Sequence, residues 1–439
     1  MIQPWLAERR AALTGTATPI TLADSREWLM QDGALLHRTG GFFSIIGIEA
    51  DAPGTQFDQR RFPMIDQPEI GLLAFLTTPG ADGLDWLLQA KSEPGTTDWV
   101  QVGPTVQATY SNYARRHGGR PTTYLANFLD QDSGRPIGLH QSEQGTRFLN
   151  KFNSNAVVTL PERCQEAGPN WKWSTSEELR RALGEDFCIN TDSRSVIVSH
   201  DWCNLRSEAP LFAGPSGTSA ALAPLRAALA RSYAALPGRP AGVQDCLKLL
   251  DRARAEARLT IRRVPLETVP GWRRDGWIDP VDEAGGVAIF RISAPDREVE
   301  AWDQPFLISD RSHRCGLVLA DFAGVPRLGF QPSLEPGFVQ KIQFGPSLQT
   351  DTVLSPILRE LIIEARHPPS LAVRQSDEGG RFLRVEMCYE LHDMRGREAA
   401  LEGAGLVWLR LDEVEALCHQ IGLLTNEARS ALSLVLSLA

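Results

Sequence analysis

The stretch QAKSEPGTTDWVQVGPTVQ, residues 89–107, returns later in the chain as QPSLEPGFVQKIQFGPSLQ, residues 331–349. Both copies carry Glu-Pro-Gly, a Gly-Pro pair and glutamines at matching places. Self-similarity at a fixed spacing is the sequence signature of repeated structural units. The two stretches therefore predict that one domain occurs twice.

Further echoes keep the same order around these stretches. The string QSEQGTRFL at 141–149 matches QSDEGGRFL at 375–383, and Gly40-Gly41 corresponds to Gly285-Gly286. A last set closes each copy and pairs Trp173, Leu179, Asn190, Arg194 and Ser195 with Trp408, Val414, Thr425, Arg429 and Ser430. We expect a tandem duplication, with any function in one copy, in both, or between them.

The totals are those of a globular protein with more than one domain. The chain has 439 residues, of which 42% are hydrophobic and 23% charged, which is ordinary for a folded protein. The length and the repeat together predict a first copy at 1–206, a connecting segment at 207–260 and a second copy at 261–439. The net charge of −9 argues against nucleic acid as a partner, because phosphate binding needs a basic surface.

Cysteine and histidine usage gives no sign of disulfides or of a metal site. Seven cysteines without a C-x-x-C pair indicate reduced thiols in a cytoplasmic protein. Eight histidines are dispersed without the spacing of zinc ligands. The first residues lack a signal-peptide core and no stretch is long enough to span a membrane, so we expect neither secretion nor a membrane.

The apolar pattern predicts an α+β fold in each copy. Short runs at 42–48 and 71–76 are rich in strand-forming residues and bounded by Gly, Pro or Asp. Stretches at 176–183 and 412–419 have helical spacing at the end of each copy. Strands therefore come first and helices close each copy.

The connecting segment reads as helical. Two Ala/Leu/Arg-rich stretches, 220–235 and 243–259, flank Pro237-Gly-Arg-Pro240. Their apolar residues recur at helical spacing. This face packs either against a copy of the domain or against a second subunit, and the sequence leaves both open.

The Glu93-Pro94-Gly95 element has two interpretations. Pro followed by Gly presets a type II turn and needs no catalytic explanation. However, Gln89, Lys91 and Glu93 alternate, so an amide, a cation and a carboxylate project from one strand face. The next strand adds Gln101 and Gln107. This polar face is either exposed to solvent or lies beneath a ligand.

The first copy is the better candidate for catalysis. Directly after the repeated stretch it carries Thr109, Tyr113, Arg115 and Arg116, a dense group of hydroxyls and cations. The second copy has neither the tyrosines nor the double arginine at 350–356. Such a group also occurs on ordinary polar surfaces, so the preference is one of degree.

One partial motif points to the Nudix superfamily. The spacing of its diphosphate-hydrolase box is followed in the second copy by Gly345, Asp351, Arg359, Glu360, Leu361 and Glu364. Asp351 stands where Glu is usual, and Ile363 replaces an adjoining metal-binding glutamate. The first copy lacks the box. The pattern indicates a Nudix-like fold that has lost its magnesium site, or a coincidence.

Cofactor motifs are missing from the chain. No G-x-G-x-x-G follows a strand, and neither a P-loop nor a G-x-S-x-G elbow occurs. We expect a reaction that uses side chains alone, with no cofactor and no metal.

The stretch 88–113 closely resembles the NDP-hexose 2,3-dehydratase family of deoxysugar biosynthesis, whose members are duplicated Nudix-like proteins. The likeness runs from about Trp28 to the C-terminus. It also rests on 41–47, 145–149, Pro265-Leu266 with Gly271-Trp272, and the second Glu-Pro-Gly. One departure is Val287-Ala-Ile-Phe290, where a second Phe-Phe-Ser-like strand is expected.

The resemblance implies loss of water from dTDP-4-keto-6-deoxy-glucose. The C3 proton and the C2 hydroxyl leave, and the resulting enol tautomerises to a 3,4-diketo-2,6-dideoxy sugar. The C4 ketone acidifies C3–H, so a positioned base suffices. Glu93 is our candidate base, and Lys91 or Tyr113 our candidate donor to the C4 oxyanion or the leaving hydroxyl.

The same resemblance implies the rest of the site and its partners. Guanidinium pairs well with phosphate oxygens, so the candidate diphosphate ligands are Arg115, Arg116 and Arg147. The other candidate substrate-binding residues are Gln89, Gln101, Gln107, Thr109, Glu335, Gln343, Gln349 and Arg381. A homodimer and a downstream NADPH-dependent 3-ketoreductase are expected.

Two other functions stay open at this point. One is a divergent Nudix-type hydrolase of nucleoside diphosphates, which magnesium dependence would identify. The other is a non-catalytic nucleotide-sugar-binding protein, which would hold its ligand without changing it.

Overall fold

A computed structural model describes residues 1–109, 121–130, 137–206, 211–213, 220–234, 241–282, 285–294, 299–352 and 354–439. We call residues 1–206 the first half and residues 261–439 the second half. Helices connect the halves, and strand β14 (Thr260–Val264) begins one residue before the second half.

The first half begins and ends with helices. Helix α1 spans Ile2–Ala12, and the closing pair is α2 (Ser176–Leu183) and α3 (Thr191–Val198). Its strands are β1 (Thr16–Ile20), β2 (Trp28–Gln31), β3 (Ala34–His37), β4 (Ser44–Asp51), β5 (Arg60–Asp66), β6 (Gly71–Pro79), β7 (Leu84–Ser92), β8 (Val100–Gly103), β9 (Val106–Ala108), β10 (Leu139–Ser142), β11 (Phe148–Leu149), β12 (Phe152–Thr159) and β13 (Trp171–Thr175).

The second half repeats this order after two connecting helices, α4 (Ala223–Tyr233) and α5 (Ala241–Glu256). Its strands are β14 (Thr260–Val264), β15 (Gly286–Ser293), β16 (Ala301–Ile308), β17 (His313–Phe322), β18 (Val325–Leu334), β19 (Ile342–Pro346), β20 (Leu348–Gln349), β21 (Leu371–Ser376), β22 (Glu386–Asp393) and β23 (Val407–Leu409). Its helices are α6 (Pro356–Leu358), continued by a π-helix at Arg359–Glu364, then α7 (Leu411–Cys418) and α8 (Asn426–Leu436).

The structure is mixed α+β, as predicted, and most predicted elements are present. The run at 71–76 lies in β6, whose residues are buried up to its last, as expected of a central strand beside a parallel neighbour. Thr175 caps α2 by accepting a hydrogen bond from the Glu178 N–H. Both connecting stretches are helical, and the strand predicted at 42–48 begins at Ser44.

Two seven-stranded sheets have the same pairing pattern. The first has the order β10-β12-β6-β7-β13, with β8 beside β7 and β9 beside β6. The second has the order β21-β22-β17-β18-β19, with β20 beside β17 and β23 beside β18. The parallel pairs, β12 with β6 and β22 with β17, occupy the same place in each sheet. Every strand of one sheet therefore has a counterpart in the other.

Two strands are exchanged between the halves. Strand β1 of the first half pairs with β15 of the second, and β14 of the second half pairs with β4 of the first. Both pairs are antiparallel and lie in the two smaller sheets. Each half therefore supplies an edge strand to the other, so the boundary predicted near 207–260 does not separate two independent sheets.

The helices α3 and α8 pack together through two buried arginines. Arg194 Nε donates to Ser430 Oγ at 3.4 Å, and Arg429 Nε donates to Ser195 Oγ at 3.0 Å. The arginines are 1% and 0% exposed. Because each contact is matched by its mirror in the other half, the two helices meet about a local two-fold axis.

The Glu-Pro-Gly turn of the first half contacts a loop of the second half at residues 379–384, which we call the glycine loop. The Gly95 N–H donates to the Gly379 carbonyl at 2.8 Å, and the Arg384 N–H donates to the Gly95 carbonyl at 2.7 Å. A Cβ at position 95 would lie 1.7 Å from the Phe382 carbonyl oxygen. The turn needs glycine because another backbone occupies that space.

The second Glu-Pro-Gly turn makes the reciprocal contact. The Gly337 N–H donates to the Gly145 carbonyl at 2.7 Å, and the Asn150 N–H donates to the Gly337 carbonyl at 2.8 Å. A Cβ at position 337 would lie 1.9 Å from the Phe148 carbonyl oxygen. The strings that the sequence repeats are therefore the ones that join the halves.

Within the part of the chain described, no helix has the length and apolar character needed to cross a membrane.

Gly95→Ala and Gly337→Ala should each lower the free energy of unfolding by about 1–3 kcal/mol or more, because the added methyl group meets a backbone carbonyl that side-chain rotation cannot move. Chemical denaturation of the purified variants measures this. Gly184→Ala is the control, since its Cβ would lie 3.4 Å from Ser437 in ordinary contact. Unchanged stability of both turn variants would contradict this account of the junction.

Candidate active site

A cavity of about 640 Å³ opens at the polar face of the first seven-stranded sheet. Its floor is formed by β7 and β9, and a wall comes from the glycine loop of the second half. We call it the Glu93 cavity. Gln89, Lys91, Glu93, Gln107, Thr109 and Arg381 all line it. The structure thus brings together six of the residues that the sequence predicted for the site.

Glu93 is held by its neighbours although it lines the cavity. Its side chain is 4% exposed, and Oε1 accepts a hydrogen bond from Gln107 Nε2 at 2.7 Å. On the other side, a Cβ added at Gly379 would lie 2.8 Å from the Glu93 Cβ. The glycine loop of the second half therefore packs directly against the Cβ of Glu93.

Two cations face the cavity near the carboxylate. Lys91 Nζ donates to the Gln107 carbonyl at 3.2 Å. Arg381 Nη2 donates to Gln67 Oε1 at 3.1 Å, and its guanidinium lies 4.2 Å from the centre of the Phe43 ring. Burial lowers the pKa of Arg381. The cavity therefore combines a carboxylate, two cations and amide donors, a set suited to a polar anionic ligand.

Aromatic rings form part of the cavity wall. Trp28 packs on Phe43 with ring centres 4.9 Å apart, and His37 packs edge-on against Phe42 at 4.6 Å. Trp171 lines another part of the cavity. Such faces offer stacking surfaces for a planar ring such as a nucleobase.

Buried acids lie close behind this floor. Burial raises the pKa of Asp192 well above its usual range, and the negative charges of Glu378, Glu143 and Glu93 raise it further. Burial likewise raises the pKa of Glu378 to about 8 and lowers the pKa of Lys151 to about 8. The raised pKa values of Asp192 and Glu378 favour their neutral forms, which limits the negative charge beneath the cavity, whereas Lys151 with a pKa of about 8 stays mostly protonated at pH 7.

The place that the repeat relates to the Glu93 cavity, between the second-half turn and the first half, is nearly closed. It is a cavity of about 10 Å³ lined by Phe57, Phe62, Arg147 and Asp351, among others. Phe62 on β5 pairs with Ile48, as Gln304 on β16 pairs with Phe290. A phenyl ring therefore fills the space that an amide leaves open in the Glu93 cavity.

Three candidates of the second half are buried, and none of them is among the residues that line this closed cavity. Glu335, Gln343 and Gln349 are 0%, 2% and 0% exposed. Burial raises the pKa of Glu335 well above its usual range, with Glu427 and Asp351 adding to the effect. Neither side-chain polar atom of Gln349 has a hydrogen-bond partner among the described residues. These candidates do not reach a cavity large enough for a sugar nucleotide.

Two further candidates lie away from the Glu93 cavity. Arg147 Nη2 lies 3.8 Å from Asp351 Oδ2 in the closed cavity. Gln101 pairs with Lys91 across β7 and β8 but is 0% exposed and does not line the cavity. The predicted candidates Tyr113, Arg115 and Arg116 fall outside the described residues.

The residues of the Nudix box do not gather at one place. Asp351 is buried beside Arg147, whereas Glu360 and Glu364 are exposed on the π-helix. Within the described ranges, Asp201, Glu415 and His419 are the group close enough to share a metal ion. None of them lines the Glu93 cavity, and the Glu415 oxygens already accept from the Trp202 N–H and the Tyr233 hydroxyl.

Comparison with known proteins identifies the family. A family model described as NDP-hexose 2,3-dehydratase matches residues 1–199 and 243–435. The chain belongs to the NDP-hexose 2,3-dehydratase family. The membership predicted from the sequence is thereby confirmed.

Two relatives of this dehydratase match along nearly its whole length. A protein of Amycolatopsis orientalis is 29% identical over 99% of this chain and 89% of the relative, and one of Streptomyces violaceoruber is 30% identical over 99% and 96%. Both are named dTDP-4-dehydro-6-deoxy-alpha-D-glucopyranose 2,3-dehydratase.

Several groups that line the Glu93 cavity or lie beneath its floor were not predicted from the sequence. Gln67 follows β5 and Gln304 lies on β16, and the sequence pattern did not connect either with the Glu-Pro-Gly turn. Asn190 and Asp192 begin α3 beneath the floor. One signal was present, since Asn190 aligns with Thr425 in the repeat and is an amide in one copy only.

The buried acids predict a pH-dependent stability. Burial raises the pKa of Glu427 from 4.5 to about 8. The folded state then holds a proton that the unfolded state releases, so this contribution is complete below about pH 4.5 and is lost as the pH rises to about 8. Asp377, whose pKa burial raises to about 6, and Glu378 act in the same direction.

The free energy of unfolding should therefore fall from about pH 5 to pH 8. Glu427→Gln should make this slope shallower by up to about 1.4 kcal/mol per pH unit. Urea denaturation at several pH values measures it, with Glu402→Gln at an exposed position as the control. An unchanged slope in Glu427→Gln would show that this carboxyl is not buried as described.

Proposed function

We propose that this protein removes water from a dTDP-linked 4-keto-6-deoxy-glucose and that the reaction takes place in the Glu93 cavity. The observation that supports this most directly is a buried carboxylate fixed by an amide, beside two cations, in a cavity of about 640 Å³. That volume lies within the roughly 300–1,000 Å³ of small-molecule sites. Family membership and the names of the relatives supply the substrate class.

Glu93 is the proposed base that takes the proton from C3. The electron pair of the C3–H bond passes toward the C4 carbonyl and forms an enolate, which the Lys91 ammonium stabilises. Return of these electrons restores the C4 carbonyl, forms the C2–C3 double bond and expels the C2 hydroxyl, which leaves as water with the proton that Glu93 took from C3. The remaining enol at C3 tautomerises to the 3,4-diketone, and no redox partner is consumed.

Arg381 is the proposed ligand of the diphosphate. Its guanidinium is oriented by Gln67 and Phe43, and arginine matches phosphate oxygens with paired donors. Gln89 and Thr109 provide hydrogen bonds along the floor of the cavity, whereas the side chain of Gln107 is hydrogen-bonded to Glu93. Roles for Tyr113, Arg115 and Arg116 remain proposals from the sequence.

The second half is proposed to be a non-catalytic counterpart. Phe57 and Phe62 fill its cavity, and Asp351 engages Arg147. Glu335, Gln343 and Gln349 then serve the packing of the halves rather than a ligand. This interpretation agrees with the stronger polar set that follows the repeat in the first copy.

The architecture that we propose is a tandem duplication of a Nudix-like domain. It consists of repeats at 1–206 and 261–439 with a helical connection at 207–260. Matching sheet orders and the exchanged strands β1 and β14 support this division. An exchange of equivalent strands is the arrangement expected when two copies of one domain fold together.

The cellular setting is proposed on chemical grounds. The diketo product is unstable, so an NADPH-dependent 3-ketoreductase is the expected next enzyme. The free thiols of all seven cysteines suit a reducing cytoplasm. A homodimer remains part of the proposal because the family resemblance implies it.

The direct test incubates the purified protein with dTDP-4-keto-6-deoxy-glucose, with and without an NADPH-dependent 3-ketoreductase. The captured product should have lost one water, and free dTDP should be released when the reductase is omitted. Bound but chemically unchanged substrate would instead favour a binding protein. Magnesium-dependent cleavage of the diphosphate would favour a Nudix-type hydrolase.

Glu93→Gln should lower kcat by about 10²–10⁴, because an amide cannot take the C3 proton, while the affinity for the substrate changes little. Glu335→Gln is the matched control at the equivalent turn and should retain activity. Steady-state kinetics and equilibrium binding measure both variants. Full turnover by Glu93→Gln would remove this residue from the role of base.

A further inference from the structure

The side-chain amide of Asn190 is oriented by the helix that it caps. Asn190 is the N-cap of α3, and its Oδ1 accepts a hydrogen bond from the Ser193 N–H at 2.9 Å. The first N–H groups of a helix have no acceptor within the helix, so the oxygen of the cap must face them. The Nδ2 donor of Asn190 is therefore directed away from the helix.

This donor in turn fixes the orientation of Gln107. Asn190 Nδ2 donates to Gln107 Oε1 at 3.0 Å, and Gln107 Nε2 donates to Glu93 Oε1 at 2.7 Å. An amide has one acceptor end and one donor end. With the acceptor of Gln107 used by Asn190, its donor end must face Glu93. We call Asn190 and Gln107 the amide relay.

The relay determines which oxygen of Glu93 can take a proton. Oε1 faces an N–H donor and has to act as an acceptor, so a transferred proton is directed to Oε2. A hydrogen bond to an ionised carboxylate is also stronger than one between neutral groups. The relay thus holds the carboxylate in position for the proton transfer.

The second half lacks this arrangement and provides an internal comparison. Thr425 caps α8 there, and its hydroxyl accepts from the Ala428 N–H at 3.1 Å. No described residue partners the side chain of Gln349, and Glu335 Oε1 accepts from Ser333 Oγ at 3.2 Å instead. In the second half, Thr425 therefore caps its helix without supplying an N–H donor to Gln349.

We propose that Asn190 is a positioning residue of the dehydration, which acts on Glu93 through Gln107. Asn190 itself does not line the Glu93 cavity. The inference rests on the proposed role of Glu93 as the base.

Two substitutions separate the relay from the helix cap. Asn190→Ser keeps an efficient cap but removes the donor to Gln107, and kcat should fall by about 10- to 100-fold through loss of positioning. Asn190→Asp also caps well but offers only acceptors, so the Gln107 amide must turn its oxygen toward Glu93. The acidic limb of the pH–rate profile of Asn190→Asp should then shift to higher pH by about one unit. Thr425→Ser, the same cap change in the other half, should leave the kinetics unchanged.

Gln107→Met tests the relay without touching the helix. It should lower kcat to a similar degree with little change in KM. The double variant Asn190→Ser/Gln107→Met should be no slower than Gln107→Met alone, because both substitutions remove the same contact to Glu93. This arm remains informative if a variant at position 190 does not fold.

The outcomes distinguish this inference from the proposed function. If Glu93→Gln is inactive while Asn190→Asp keeps the kcat and the pH profile of the wild type, the relay is wrong and the base assignment stands. Additive losses in the double variant would also overturn the relay. If Glu93→Gln is fully active, the proposed base fails instead.

Discussion

The reciprocal contact between each Glu-Pro-Gly turn and the glycine loop of the other half is the constraint on which the structure depends. At Gly95 and at Gly337 a foreign backbone carbonyl occupies the space of a side chain. The contact places Glu93 against the loop that carries Arg381, so the proposed base and the proposed diphosphate ligand come from different halves. The exchanged strands β1 and β14 and the paired arginines of α3 and α8 hold the same two-fold relation.

From this nearly symmetric frame, a few substitutions produce two unlike cavities. Gln304 and Thr109 line an open space, whereas Phe62 and Asp351 stand at the corresponding places of the closed one. Asp351 engages Arg147, while Arg381 lies on a ring face and a neutral amide. The cost of burying unpaired charge is limited in the closed half, because burial raises the pKa of Glu335 well above its usual range and so favours its neutral form.

Much of this could be predicted from the sequence, because it depends on local pattern. Alternation placed Gln89, Lys91 and Glu93 on one face, and helical spacing predicted the helices near 176–183 and 412–419. Which strand pairs with which could not be predicted, since β1 and β14 carry no local mark of a partner in the other half. For the same reason, the sequence did not show that Arg147 and Arg381 each lie beside the Glu-Pro-Gly turn of the other half. Gln101 shares the face of Lys91, but alternation does not reveal what covers a face.

In this proposal, the first-half turn and the second-half loop together form one chemical centre. A crystal structure of the Glu93→Gln variant with dTDP-4-keto-6-deoxy-glucose bound would test this. We expect the sugar in the Glu93 cavity, with C3 within reach of the residue 93 side chain and the diphosphate on Arg381. A sugar bound with its C3 away from residue 93, or a nucleotide sugar found only at the place of Glu335 and Arg147, would contradict it.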